Sequence, residues 1–178
     1  MSHTSTPAAR SAQIRTLTVN GISIALVFIA TAFINIRLPV AANGGLIHLG
    51  NVPLFLAAAI FGRKTGAICG AFGMALFDLM SGWALWAPFT FIIVGLMGYT
   101  VGRVTENKDC SIFRYLIAAL LALIIKIIGY YIAEALIYGN WTAPAASIPG
   151  NVIQVGFAAV VFLITVKPLR RQLNSIMI

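Results

Sequence analysis

The sequence predicts an all-α integral membrane protein whose six transmembrane helices form one bundle, with both termini in the cytoplasm. Composition is the first observation behind this prediction: of the 178 residues, 60% are hydrophobic and 9% are charged, and the mean hydropathy is +0.96. So few polar side chains do not cover a water-soluble globule. The apolar residues also fall into six segments, and the basic residues lie almost entirely on one side of them. These observations exclude a soluble enzyme.

Six apolar segments, each predicted to be a membrane helix, follow a short polar start. Residues 1–12 are rich in Ser, Thr, Ala and Pro, so we expect a flexible cytoplasmic tail there and a single six-helix membrane domain over residues 13–178. The third segment reaches only about 22 Å of a hydrocarbon core of about 30 Å, so the short second and third helices need support from their neighbours. In chain order the segments are 17–36, 52–61, 66–80, 87–102, 112–138 and 152–166.

The positions of the lysines and arginines predict the orientation of the helices. The chain carries 12 of them against 4 acidic residues, a formal charge of +8. Short cytoplasmic loops retain Lys and Arg during insertion, and ten of the 12 lie on one side of the predicted membrane. Both termini are therefore expected in the cytoplasm, and the charge indicates topology rather than a nucleic-acid partner. The ten are Arg10, Arg15, Arg63, Lys64, Arg103, Lys108, Arg114, Lys167, Arg170 and Arg171.

The loops on the predicted outer side are neutral and rich in aromatic and amide side chains, and they hold all three tryptophans. Two interpretations stay open. One is an interfacial belt, in which Trp and Tyr lie at headgroup depth; the other is a ligand pocket that holds a flat heterocycle by stacking and amide hydrogen bonds. Asn151 can instead cap the sixth helix. The residues are Asn43, His48, Asn51, Trp83, Trp86, Asn140, Trp141, Asn151 and, three positions further, Gln154.

Three ionisable residues, Asp78, Lys126 and Glu134, lie within predicted membrane helices, where a charge needs a partner or a function. Lys126, Tyr130 and Glu134 are spaced i, i+4, i+8, so their side chains lie on one helix face and point into the bundle. Either Lys126 is neutralised by Asp78 or Glu134 in a structural network, or one of these charges binds a small molecule that enters from outside.

Small residues at four-residue spacing indicate close contacts between membrane helices. In the first segment they serve either internal packing or docking of another membrane subunit, and a similar set opens the third segment. The first set is Gly21, Ala25, Ala30 and Ala32, and the second is Gly62, Gly66 and Gly70.

Sequence motifs for catalysis or nucleotide binding are missing: the chain has no phosphate-binding glycine loop, H-E-x-x-H, G-x-S-x-G or Cys/His cluster. Cys69 and Cys110 are expected to be structural residues. We therefore expect a protein that is not an enzyme and that holds no metal.

The segment Gly44-Gly45-Leu46-Ile47-His48-Leu49-Gly50-Asn51, with Pro53 and the Gly62-Arg63-Lys64-x-Gly66 turn after it, resembles the substrate-binding S components of energy-coupling factor (ECF) vitamin transporters. The likeness extends over most of the chain. It implies an ECF S-component-like bundle in the cell membrane of a prokaryote. The implied partners are a transmembrane coupling subunit (EcfT-type) and two cytoplasmic ATPases (EcfA-type). ATP is then used by those subunits, and this chain holds no cofactor. The family's docking motif on the first helix is Ala-x-x-x-Ala, and the nearest match here is Gly21-x-x-x-Ala25.

The resemblance also implies a substrate: a vitamin or precursor captured from outside, with hydroxymethylpyrimidine or pyridoxine favoured and riboflavin as the alternative. An aminopyrimidine suits the residues, because Glu134 or Asp78 accepts hydrogen bonds from its amine while a tryptophan stacks on its ring. A self-sufficient proton-coupled secondary carrier and a purely structural subunit are the competing classes. The expected substrate-binding residues are Asn43, His48, Asn51, Asp78, Trp83, Trp86, Lys126, Tyr130, Glu134, Trp141, Asn151 and Gln154.

Overall fold

The computed structural model describes residues 6–37, 46–106 and 111–176, and this part of the chain folds into six α-helices with one short β-hairpin. The strands pair antiparallel in the register Asn35 with His48 and Arg37 with Leu46. A five-residue 3₁₀ helix, Ala143–Ser147, leads into the last α-helix. The α-helices are α1 Pro7–Phe33, α2 Asn51–Phe61, α3 Arg63–Met80, α4 Ala87–Val104, α5 Ile112–Tyr138 and α6 Ile148–Ile176; the strands are β1 Asn35–Arg37 and β2 Leu46–His48.

The predicted number and order of the helices are confirmed, whereas several of their ends differ from the prediction. Helix α1 begins at Pro7, inside the segment 1–12 that the sequence predicts as a tail, because Thr6 accepts a hydrogen bond from the Ala9 N–H and proline suits the first turn. Helix α6 continues to Ile176, through Pro168 and past the predicted end at 166. Strand β2 lies in a region predicted as a loop, whereas Asn35 and Ile36 of β1 were predicted as the end of the first helix, which instead ends at Phe33.

Four of the six helices are long and apolar enough to cross a membrane by length and composition: α1, α4, α5 and α6 with the 3₁₀ helix before it. The second and third are the exceptions, as their short apolar segments predict. Helix α2 has 11 residues, and α3 opens with Arg63 and Lys64. Both pack against neighbouring helices, α2 on α4 and α6, and α3 on α1 and α4.

Helices α3 and α4 approach each other closely because glycines face each other across their contact. A Cβ on Gly98 would overlap the carbonyl oxygen of Gly66, and a Cβ on Gly70 would lie 2.7 Å from the carbonyl oxygen of Val94. Small residues permit this backbone approach in membrane bundles. The predicted packing role of Gly66 and Gly70 is therefore confirmed.

Arg170 on α6 joins four helices at one end of the bundle, which we call the basic end. Its guanidinium donates to the carbonyl oxygens of Ala59 (Nε, 3.1 Å) and Thr105 (Nη2, 2.7 Å), at the C-terminal ends of α2 and α4. It also donates to the Tyr115 hydroxyl at 2.8 Å, near the start of α5. Helix C-termini leave carbonyl groups unsatisfied and favour a cation. Arg170, which in the sequence indicated only topology, thus connects α6 with α2, α4 and α5.

The hydrophobic core lies between the basic end and the opposite end of the bundle. Phe162 of α6 contacts Phe55 of α2 and Tyr115 of α5 edge to face, at centroid distances of 5.7 and 5.4 Å. Helix α1 contributes less: its buried residues are Ser23, Val27 and Thr31, one stripe directed at its neighbours. The remaining faces of α1 suit lipid or another membrane protein.

Candidate ligand-binding site

A cavity of about 420 Å³ opens at the end of the bundle away from Arg170, and we call it the pocket. Five parts of the chain surround it: strand β2, the turn region between α3 and α4 with the helix ends beside it, the second half of α5, the 3₁₀ helix and the start of α6. Its size is that of small-molecule sites. The lining residues are Leu46, His48, Asp78, Trp83, Trp86, Thr90, Lys126, Tyr130, Glu134, Ala146, Ser147, Pro149, Gly150, Asn151, Ile153 and Gln154.

The polar stripe predicted on α5 lines the pocket. Lys126 and Glu134 are 2% and 3% exposed, and Tyr130 lies between them, so the i, i+4, i+8 spacing does place all three on the inner face. The Lys126 ammonium lies over the Tyr130 ring, 5.2 Å from its centroid. The Ser147 hydroxyl donates to the Glu134 carboxylate at 2.7 Å, which fastens the 3₁₀ helix to α5.

Lys126 does not form the direct ion pair that one interpretation of the sequence offered. In the part of the chain that the structure describes, no carboxylate oxygen lies within 4.0 Å of its ammonium nitrogen. Asp78 lies on the same pocket, and its Oδ2 is buried with no hydrogen-bond partner among the described residues. A positive and a negative group therefore face one cavity without neutralising each other by contact.

Thr90, near the start of α4, connects Asp78 with Tyr130. Its hydroxyl lies 3.0 Å from the Tyr130 hydroxyl and also interacts with the Asp78 carboxylate. At 2% exposure it is one of the most buried polar residues of the pocket wall. Thr90 was not among the residues predicted from the sequence, although one signal was present: it is a hydroxyl residue one helical turn after Trp86, near the start of an apolar segment.

The surroundings of His48 favour the neutral form of its imidazole. It lies on β2, outside the membrane-spanning helices, and burial together with the Lys126 ammonium lowers the pKa of its imidazole well below the ordinary value of 6.5. The Gly50 N–H donates to Nδ1 at 3.2 Å, which leaves Nε2 to carry the proton. The Gln154 amide donates to the His48 carbonyl oxygen at 3.2 Å and so joins the hairpin to α6.

The three tryptophans divide between the two interpretations given to them. Trp83 and Trp86 line the pocket and contact each other edge to face at 5.2 Å, and Tyr138 continues the row at 6.0 Å from Trp86. Trp141 is 59% exposed and is not among the lining residues, so its position fits an interfacial belt.

Nine of the twelve residues expected at the site line the pocket, and three do not. Asn51 is 0% exposed at the start of α2, with both polar atoms of its side chain unpartnered in the described structure, but it is not in the pocket wall. Trp141 is the second, and Asn43 lies outside the described residues. Besides Thr90, the sequence analysis missed Ser147 and a set of small or apolar lining residues: Leu46, Ala146, Pro149, Gly150 and Ile153.

The small residues expected to dock a partner lie on α1. Gly21 and Ala25 are exposed, and a Cβ on Gly21 would meet nothing within 4 Å. Ala30 and Ala32 are half-buried. Packing among the described helices therefore leaves the Gly21–Ala25 pair uncovered.

Apolar helices around a cavity that is lined partly by charged and amide side chains are the arrangement of a membrane protein with a small-molecule site. Comparison with known proteins gives the family. Residues 11–171 match the model of the ECF-type riboflavin transporter, S component. The chain belongs to this S-component family, and it is thus a multi-pass membrane protein and a transporter component. Membership implies in general terms a small-molecule substrate and association with ECF coupling and ATPase subunits.

Two curated relatives and one solved structure are similar to this chain. A thiamine precursor transporter, HmpT, of Lactococcus lactis subsp. cremoris (strain MG1363) is 32% identical over 142 residues, 80% of each chain. An uncharacterized protein in gap 3′ region of Pyrococcus woesei is 32% identical over 62% of this chain and 73% of its own. The solved S component of a bacterial ECF transporter superposes with a TM-score of 0.71 at 24% identity, over 93% of this chain and 98% of that chain, which supports the fold.

Proposed function

We propose that this S component captures hydroxymethylpyrimidine, or a pyridoxine-type precursor, with high affinity from the outer side of a prokaryotic cell membrane. The observation that carries the proposal is the pocket itself, which combines two tryptophans with two carboxylates and a buried ammonium. The similarity to a thiamine precursor transporter supports this class of substrate.

The lining residues suit a small aminopyrimidine. Trp83 or Trp86 stacks on the ring, and Asp78 or Glu134 accepts hydrogen bonds from the exocyclic amine. Lys126 donates to a ring nitrogen or to the hydroxyl group. A ligand of this size buries most of its surface in a pocket of about 420 Å³.

We propose that transport needs partners, namely a transmembrane coupling subunit and two cytoplasmic ATPases that use ATP, while this chain holds no cofactor. Gly21 and Ala25, with Ala30 and Ala32 beside them, offer the coupling subunit a surface of small residues on α1. Both termini and the basic end then face the cytoplasm, as the distribution of Lys and Arg indicates.

A fluorescence titration tests the substrate. The detergent-purified protein is titrated with hydroxymethylpyrimidine, pyridoxine, thiamine and riboflavin while tryptophan emission is recorded. We expect saturable quenching by hydroxymethylpyrimidine or pyridoxine. The ligand-induced decrease in emission should be smaller in Trp86→Phe. It should be the same as in the wild type in Trp141→Phe, because Trp141 lies outside the pocket wall. Saturation by riboflavin alone would correct the substrate, and a flat response to all four would refute vitamin binding.

Riboflavin is the second candidate because the matching family model is that of riboflavin transporter S components. Transport assays in liposomes then separate an S component from a self-sufficient carrier. Uptake of the bound compound should require the coupling module and ATP; uptake by the isolated chain would favour the carrier.

A further inference from the structure

We propose that Thr90 is a positioning residue: it keeps Asp78 from pairing with Lys126, so that a ligand with adjacent hydrogen-bond donor and acceptor groups inserts between them. The inference rests on the proposed function of the pocket as a ligand site. It adds a residue that determines specificity and a rule for which ligands are accepted.

Two side chains of opposite charge face each other across the pocket without contact. Lys126 and Asp78 line one cavity, yet no oxygen of the Asp78 carboxylate lies within 4.0 Å of the Lys126 ammonium nitrogen. At membrane depth an unpaired ion is costly, so two flexible side chains of opposite charge should close into a pair unless something holds them.

Thr90 and Tyr130 supply that restraint. The Thr90 hydroxyl binds the Tyr130 hydroxyl at 3.0 Å and interacts with the Asp78 carboxylate. The Tyr130 ring in turn lies under the Lys126 ammonium, 5.2 Å from its centroid, which holds the cation by a cation–π contact. In our proposal this one buried hydroxyl on α4 restrains the Asp78 carboxylate, and it restrains the Lys126 ammonium through Tyr130.

Asp78 and Lys126 each present polar atoms to a ligand in the pocket. Asp78 Oδ2 is a buried acceptor with no partner among the described residues, and buried polar atoms are seldom left so. The Lys126 ammonium offers donors on the other side. A ligand that donates to Asp78 and accepts from Lys126 satisfies both, as the amine and ring nitrogen of an aminopyrimidine do. A phosphate monoester dianion carries only acceptors and should be rejected.

Binding of hydroxymethylpyrimidine to Thr90 variants tests the proposal. Thr90→Val keeps the shape but removes the hydroxyl, so we expect affinity to fall by about tenfold or more, with Thr90→Ser within about threefold of the wild type. Thr165→Val is the matched control, because within the described residues the Thr165 hydroxyl donates to the Val161 carbonyl oxygen of its own helix and lies outside the pocket wall. If Thr90 acts through Asp78, Thr90→Val should have no further effect in an Asp78→Asn background. Equal affinities for Thr90→Val and Thr165→Val would overturn the inference.

A second readout needs no ligand and so separates failure of this inference from failure of the proposed function. The chain has four lysines, Lys64, Lys108, Lys126 and Lys167, and ¹⁵Nζ-lysine labelling with Lys126→Met assigns the buried ammonium by NMR. Thr90→Val should shift the Lys126 signal as the ion pair forms, and Asp78→Asn should abolish that shift. An unchanged Lys126 signal in Thr90→Val would refute the restraint even if the wild type binds hydroxymethylpyrimidine.

Discussion

Glu134 is a buried residue that holds the 3₁₀ helix and also lines the pocket proposed for the ligand. Its carboxylate accepts the Ser147 hydroxyl at 2.7 Å while it faces the pocket. Glu134→Gln keeps an acceptor for Ser147 but removes the charge, so affinity for hydroxymethylpyrimidine should fall by about tenfold, since a carboxylate is the stronger acceptor. Glu106→Gln, at the basic end, is the control and should bind as the wild type does. Equal binding by Glu134→Gln would remove Glu134 from the ligand contacts.

His48 makes the stability of the folded protein depend on pH. Because the pKa of His48 is lowered in the folded state, the unfolded chain binds the extra proton first. Above the ordinary pKa of 6.5, His48 therefore does not reduce the free energy of unfolding. Below it, protonation of the unfolded chain lowers the free energy of unfolding by up to about 1.4 kcal/mol per pH unit. His48→Asn keeps an acceptor for the Gly50 N–H. The midpoint of thermal unfolding should change less between pH 7 and pH 5 in this variant than in the wild type. A slope equal to that of the wild type would contradict this assignment.

At the scale of the element, the glycine contact between α3 and α4 admits no side chain. Gly98→Ala places a methyl group on the Gly66 backbone and should destabilise the bundle by about 1–3 kcal/mol. Gly156→Ala, inside α6 with nothing within 4 Å of the added Cβ, should be neutral or slightly stabilising. Thermal unfolding of both variants in detergent checks the difference. A Gly98→Ala protein as stable as Gly156→Ala would show that the two helices are farther apart.

Elements and site residues were predictable from the sequence to different extents. Long apolar segments locate helices well, and the limits predicted for α5 agree with its observed limits, Ile112–Tyr138. The hairpin was not predictable, because three-residue strands are too short to show an alternating pattern. Lys126 and Glu134 stand out as charges in apolar sequence, whereas Thr90 resembles any helical threonine until folding brings Tyr130 and Asp78 beside it.

At the scale of the whole molecule, Arg170 is the residue whose substitution should affect the contacts of the largest number of helices. Arg170→Gln leaves the Ala59 and Thr105 carbonyl oxygens without their guanidinium and should lower the free energy of unfolding by roughly 2–4 kcal/mol. Arg171→Gln changes the same charge at an exposed neighbouring position and should cost much less. Thermal unfolding of the two variants distinguishes loss of the Arg170 hydrogen bonds from loss of one positive charge. Equal midpoints would mean that other contacts hold the basic end together.

The connection between α2 and α3 bears on how the chain enters the membrane. Gly62 alone separates the two helices, with φ at 92°, a conformation that other residues rarely adopt. At 11 residues α2 reaches about 16 Å, roughly half of a hydrocarbon core of about 30 Å, so it is a poor insertion segment by itself. We therefore expect α2, Gly62 and α3 to enter the lipid as one unit, so that a side chain at position 62 would impair membrane insertion before the pocket forms.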